Sequence, residues 1–106
     1  LADHEAAGEA YNIAYGGSKA AIAHAVKVLA KELSADGIRV NAVAPGLVNT
    51  DMKNLASEDT WGELVNKILI GRIAEPNEIA NVISFLLSDQ ASYITAQTIH
   101  VDGGMI

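Results

Sequence analysis

The sequence predicts an α/β fold built on a parallel sheet, and three observations carry that reading. Apolar residues recur at helical spacing over residues 14–33 and again after Pro76. Two short runs rich in β-branched residues, at positions 38–44 and 98–101, read as strands. The order helix, strand, helical excursion, helix, strand separates the strands by helices long enough to cross over a sheet. Parallel sheets are buried on both faces, and two strands with three helices leave sheet faces and edges uncovered. A missing N-terminal segment or companion chain is therefore expected to complete the sheet.

The elements follow in order. Residues 1–10 are rich in Ala and Glu without a long apolar stripe, and read as a loop or frayed lead-in. Over residues 14–33, Ile22, Val26, Leu29, Ala30 and Leu33 form one stripe, with Lys27, Lys31 and Glu32 in the gaps. Asp36-Gly37 stops the helix, because glycine accepts the left-handed conformation that closes helices. The first strand ends at Pro45-Gly46, since proline lacks the donor a central strand needs. Residues 60–69 have helical spacing around Trp61, Leu64, Val65 and Ile68, weakened by Gly62. Pro76 opens a helix with Ile79, Val82, Ile83, Leu86 and Leu87 on one side. That helix stops near Ser88-Asp89, and the last strand, Thr98-Ile99-His100-Val101, is closed by Asp102-Gly103-Gly104.

Composition narrows the function classes. Of 106 residues, 50% are apolar, 19% charged and 5% aromatic, which excludes intrinsic disorder. No run of about 18 apolar residues spans a membrane, and the acidic start is unlike a signal peptide. Without cysteine there is no disulfide, thiolate nucleophile or Cys-ligated zinc. A net charge of −6 disfavours a nucleic-acid backbone as partner. The chain reads as a soluble, cytoplasmic piece of a globular protein.

Candidate chemistry starts at Tyr15-Gly16-Gly17-Ser18-Lys19. Two glycines at a helix start cost about 1 kcal/mol each relative to alanine, and such local conflict marks a functional site or a closely packed neighbour. Tyr15 and Lys19 are four apart, about 6 Å along one helix face. A phenol titrates near pH 10, and an ammonium beside it stabilises the phenolate, giving an acid–base unit for an alcohol or alkoxide. With three tyrosines and five lysines in the chain, the spacing alone is a weak signal, and a packed Tyr beside a snorkelling Lys satisfies it too. A second candidate is the turn Pro45-Gly46-Leu47-Val48-Asn49-Thr50. It lies at the carboxyl end of a strand, where ligands of open parallel sheets bind, and it offers the Val48 backbone and the Thr50 hydroxyl. An ordinary strand-to-loop turn accounts for it equally. His4, His24 and His100 lack ligand spacing and read as structural.

These tracts, with Gly37-Ile38-Arg39-Val40-Asn41-Ala42-Val43-Ala44 before the turn, Gly71-Arg72, Glu75-Pro76-Asn77-Glu78-Ile79-Ala80, Phe85-Leu86-Leu87-Ser88-Asp89, Tyr93-Ile94-Thr95-Ala96-Gln97 and Val101-Asp102-Gly103-Gly104, resemble the C-terminal part of a short-chain dehydrogenase/reductase. The resemblance runs in order from about residue 15 to residue 104. It implies one Rossmann-type domain with a doubly wound parallel sheet, to which residues 1–106 contribute the C-terminal helices and about two strands. It further implies an NAD- or NADP-dependent oxidoreductase that interconverts an alcohol and a carbonyl on a small-molecule substrate. Tyr15 would be the acid/base. Lys19 would bind the nicotinamide ribose and favour the phenolate, so both touch the cofactor, with Pro45, Gly46, Val48 and Thr50 lining it and no metal involved. Residues 49–73 would form the variable substrate lid, with Met52 and Trp61 as candidate walls, Trp61 fitting lid-anchoring core better. A homodimer or homotetramer is implied, although Ala20, Ala21, Ala23, Ala25 and Ala30 also fit plain core packing.

The sequence departs from the family pattern in three places. The family's catalytic Ser falls near Ala2 or Asp3, yet residues 1–14 contain no Ser, so it lies further upstream or is absent. The glycine-rich cofactor loop is not in the chain. Ala96 stands where the family often has Gly. These departures motivate an alternative, a catalytically silent fragment or subunit that serves assembly only.

Overall fold

The computed structural model describes residues 4–51 and 57–106, with side chains from residue 17 onward. The chain divides into two compact units, Leu1–Ala42 with Thr95–Gln97, and Val43–Ile94 with Thr98–Ile106.

In the first unit, helix α1 runs over His4–Leu33. From His4 onward the lead-in expected to be a loop is helical, because its alanines and glutamates are strong helix formers that need no apolar stripe. At 30 residues the helix is about 45 Å long. Val26 and Ala30 are buried as the stripe predicts, whereas Ile22 and Leu29 remain 55% and 46% exposed. A Cβ on Gly17 would meet nothing within 4 Å among the described residues, so close packing within this chain does not explain that glycine. A single 3-10 turn, Ser34–Asp36, tightens the end of α1. Gly37 then closes it at φ 73°, donating its N–H to the Ser34 carbonyl at 3.0 Å.

The first strand is shorter than expected. Regular pairing begins only at β1, Ala42–Pro45. Before it, side chains occupy positions that a ladder would use: the Val40 N–H donates to Thr95 Oγ1 at 3.1 Å, and the Gln97 N–H donates to Asn41 Oδ1 at 3.1 Å. The Val40 carbonyl accepts from the Ala96 N–H at 2.8 Å, with Ala96 itself left-handed at φ 63°.

The second unit carries the rest. β1 pairs with β2, Thr98–Val101, in a two-stranded sheet. Bonds from the Ala42 N–H to the Gln97 carbonyl and from the Gly46 N–H to the Val101 carbonyl share one offset, so the strands are parallel and free of bulges. Helix α2, Glu58–Val65, starts on Ser57, whose Oγ accepts the Thr60 N–H at 3.2 Å. It ends before the expected residue 69 because the following residues pair elsewhere. Leu69 and Ile70 donate to the Gly104 and Gly103 carbonyls at 3.2 and 3.0 Å, and Ile106 donates back to Lys67 at 3.0 Å. Helix α3, Pro76–Leu87, has the expected bounds, with proline in its first turn. Ile68, Leu86 and Ala91 are the buried apolar residues of this unit among those described.

Candidate functional site

The turn after β1 is the best-defined part of the expected site. Gly46 is required there by close approach: a Cβ would lie 2.8 Å from Asp102 Cβ and 2.9 Å from Asp102 Cα. The resemblance would place this glycine against the cofactor. The structure shows that Asp102, on the loop after β2, already occupies the space on one side of it.

Beyond Gly46 the chain is held by a parallel bridge between Val48 and Ala74. Ala74 donates to the Leu47 carbonyl at 2.9 Å, and Asn49 donates to the Ala74 carbonyl at 2.8 Å. In a parallel bridge the flanking residues make the bonds, so neither of these uses the N–H or carbonyl of Val48. Val48 is half-buried, while Pro45 and Thr50 are exposed. The bridge thus leaves the Val48 N–H and carbonyl out of its bonds, with a hydroxyl-bearing residue two positions on.

Tyr15 and Lys19 both lie within α1, one helical turn apart. Lys19 is half-buried. The Tyr15 side chain and Met52 lie outside the described parts of the structure. Trp61 is half-buried in α2.

Sequence reasoning missed a polar network at the start of α3. The Arg72 guanidinium grips Glu78 with two bonds, Nη1 to Oε1 at 2.6 Å and Nη2 to Oε2 at 2.9 Å. Glu78 Oε1 also accepts the Glu75 N–H at 3.0 Å, completing one half of a capping box. The Arg72 fork, then the Glu75 N–H, hold the Glu78 carboxyl well below its ordinary 4.5, at about 2. The bond to Glu78 in turn raises the Arg72 pKa. Asn49 Nδ2 reaches the Glu75 carboxylate at 3.2 and 3.4 Å, tying this network to the turn. A signal was available: Glu75 and Glu78 are three apart immediately before an apolar run, the spacing of a capping box. A pocket of about 110 Å³ lies beside the network, lined by Leu47, Ile70, Arg72, Ala74 and Glu78 together with Val101 and the Asp102-Gly103 turn.

A parallel strand pair joined through helices, with a turn at the strand's carboxyl end, fits the C-terminal part of a Rossmann-type fold. Comparisons narrow this class. A family model described as enoyl-(acyl carrier protein) reductase matches residues 2–106. The 3-oxoacyl-[acyl-carrier-protein] reductase FabG of Staphylococcus epidermidis is 47% identical over 91 residues, covering 86% of this chain and 37% of the relative. An uncharacterized oxidoreductase of Bacillus subtilis, YmfI, is 50% identical over 97 residues, covering 92% of this chain and 40% of its own length. The crystal structure of a 3-oxoacyl-[acyl-carrier protein] reductase from Brucella melitensis superposes with a TM-score of 0.81 at 38% identity, over 86% of this chain and 34% of that one. The chain belongs to the short-chain dehydrogenase/reductase family, and it spans little more than a third of the length of the FabG relative.

Proposed function

We propose that this chain is the C-terminal part of a single NAD(P)-binding domain, residues 1–106, in an oxidoreductase that transfers hydride between a nicotinamide and a carbonyl or alcohol. The observation that carries the reading is the turn after β1. Its bridge to Ala74 leaves the N–H and carbonyl of Val48 outside the bonds that hold it, and a carboxamide offers the complementary acceptor and donor. Pro45, Gly46, Val48 and Thr50 would line the cofactor, and Lys19 would bind its ribose. The cofactor, NAD or NADP, supplies or accepts the hydride when bound. Tyr15 would donate its phenolic proton to the developing alkoxide during reduction and take a proton from the alcohol in the reverse direction. Lys19, one turn along α1, would favour the phenolate and so lower the cost of that transfer.

The relatives named 3-oxoacyl-[acyl-carrier-protein] reductase favour a 3-oxoacyl thioester as substrate, reduced to the 3-hydroxyacyl thioester. Residues 49–73 would form the lid over it, with Trp61 anchoring the lid and Met52 a candidate wall. The glycine-rich loop, the remaining strands and a catalytic Ser would come from an N-terminal segment or companion chain, in a cytoplasmic homodimer or homotetramer.

The test uses the full-length protein with NADH or NADPH and an acetoacetyl thioester. Tyr15→Phe should lower kcat by about 10²–10⁴-fold, the usual worth of a positioned acid–base group, while cofactor Kd changes little. Full turnover in that variant would overturn the assignment of Tyr15. Absence of nicotinamide binding by the unaltered protein would favour an assembly role instead.

A further inference from the structure

We propose that Arg72, Glu78, Glu75 and Asn49 act as a positioning relay that fixes the Leu47–Val48–Asn49 turn, so that Arg72 and Glu78, which need not touch the cofactor, set the affinity for the nicotinamide. The proposal rests on the reading of that turn as cofactor-binding. Its geometry is continuous within one unit of the fold. Arg72 uses Nη1 for both Glu78 and the Ile73 carbonyl, at 2.6 and 3.2 Å, and Nη2 for the second Glu78 oxygen. That grip fixes the backbone leading into Ala74. Glu78 holds the Glu75 N–H at 3.0 Å, and the Glu75 carboxylate in turn accepts from Asn49 Nδ2 at 3.2 Å. Asn49 and Leu47 meanwhile take both backbone groups of Ala74. Segment 72–75 is thus the template on which the turn is laid, and each end of that template is tied to the same Glu78 carboxylate.

Two observations separate this role from plain stabilisation. The ion pair is open to solvent, with side-chain exposure of 55% for Arg72 and 39% for Glu78, and exposed pairs add little to global stability. The pocket beside Leu47 and Ala74 gives the turn space to settle into once the template loosens. Loss of the relay should therefore move the turn more than it unfolds the molecule. The consequence falls on the Val48 backbone groups, whose usefulness depends on being held at hydrogen-bonding distance before the ligand arrives.

The test is a double-mutant cycle in the full-length protein, with Arg72→Gln, Glu78→Gln and both together. NADH and NADPH binding, kcat and KM for the nucleotide, and the thermal midpoint are each measured. Each single variant should raise Kd and KM by about tenfold, and the double variant no further, because either change already breaks the same link. At saturating nucleotide kcat should stay within about twofold, and the midpoint should stay near that of the unaltered protein. Arg72→Lys keeps the charge but not the fork. It should raise Kd as well, and it supplies the reading if Arg72→Gln does not fold. Unchanged Kd in well-folded single variants, or additive losses in the double variant, would overturn the relay while leaving the cofactor reading intact. Failure of the unaltered protein to bind either nucleotide would overturn both.

Discussion

Ala96 holds a left-handed backbone at φ 63°, and among the described residues it is the only one other than glycine to do so. A side chain there costs roughly 1–2 kcal/mol, partly offset by the smaller entropy that alanine loses on folding. Ala96→Gly is therefore expected to stabilise the protein by up to about 1 kcal/mol, read from the denaturant midpoint at constant m. A loss of stability would contradict the strain. Gly46→Ala has the opposite sign. Its Cβ would meet backbone and Cβ of Asp102 inside 3 Å, and Asp102 cannot retreat without moving β2. A cost of about 1–3 kcal/mol is expected by the same measurement. The sequence marked both positions, Ala96 as standing where the family often has Gly and Gly46 as a residue that would line the cofactor. It could not say what approaches Gly46, because Asp102 lies in a distant part of the chain and meets it only through the pairing of β1 with β2.

The elements differ in how much of them was legible, and the difference is local against distant bonding. α3 and β2 have the bounds that Pro76, the apolar stripe and the Asp102-Gly103 turn predict, because their signals are carried within the element. α2, Glu58–Val65, starts earlier and is shorter than the 60–69 spacing predicts. Its start is a Ser57 cap, and its end is set by residues 103–106 drawing residues 67–70 into pairing, which spacing cannot reveal. Ser57→Ala should cost about 1 kcal/mol, visible as earlier loss of α2 amide protection in hydrogen exchange. The start of α3 makes a pH prediction. Glu78 is held at about 2 against an ordinary 4.5, so the stabilisation that its charge gives is present above 4.5 and is lost as pH falls towards 2. Because the pair is open to solvent, the difference in thermal midpoint between the unaltered protein and Glu78→Gln should be small above 4.5, and it should close as pH falls towards 2. A difference that persists at the acid end would contradict the Arg72–Glu78 pairing as its cause.

At the scale of the molecule, apolar surface is left open: Leu69, Ile70, Leu87 and Ile106 are 73%, 66%, 79% and 85% exposed. The 106-residue chain alone should bind a hydrophobic dye and self-associate, whereas the full-length protein should do neither to the same extent. Family membership was legible because several tracts stand in register along the chain. The Arg72–Glu78–Glu75–Asn49 network was not, since no single tract contains it and its members meet only when the turn after β1 lies against the start of α3. The central claim is hydride transfer, and isotope transfer tests it most directly. Full-length protein given NADH or NADPH deuterated at C4 on the transferred face, with an acetoacetyl thioester, should place one deuterium on the former carbonyl carbon of the 3-hydroxy product. Product carrying no deuterium from either nucleotide and either face, or no product at all, would contradict the account.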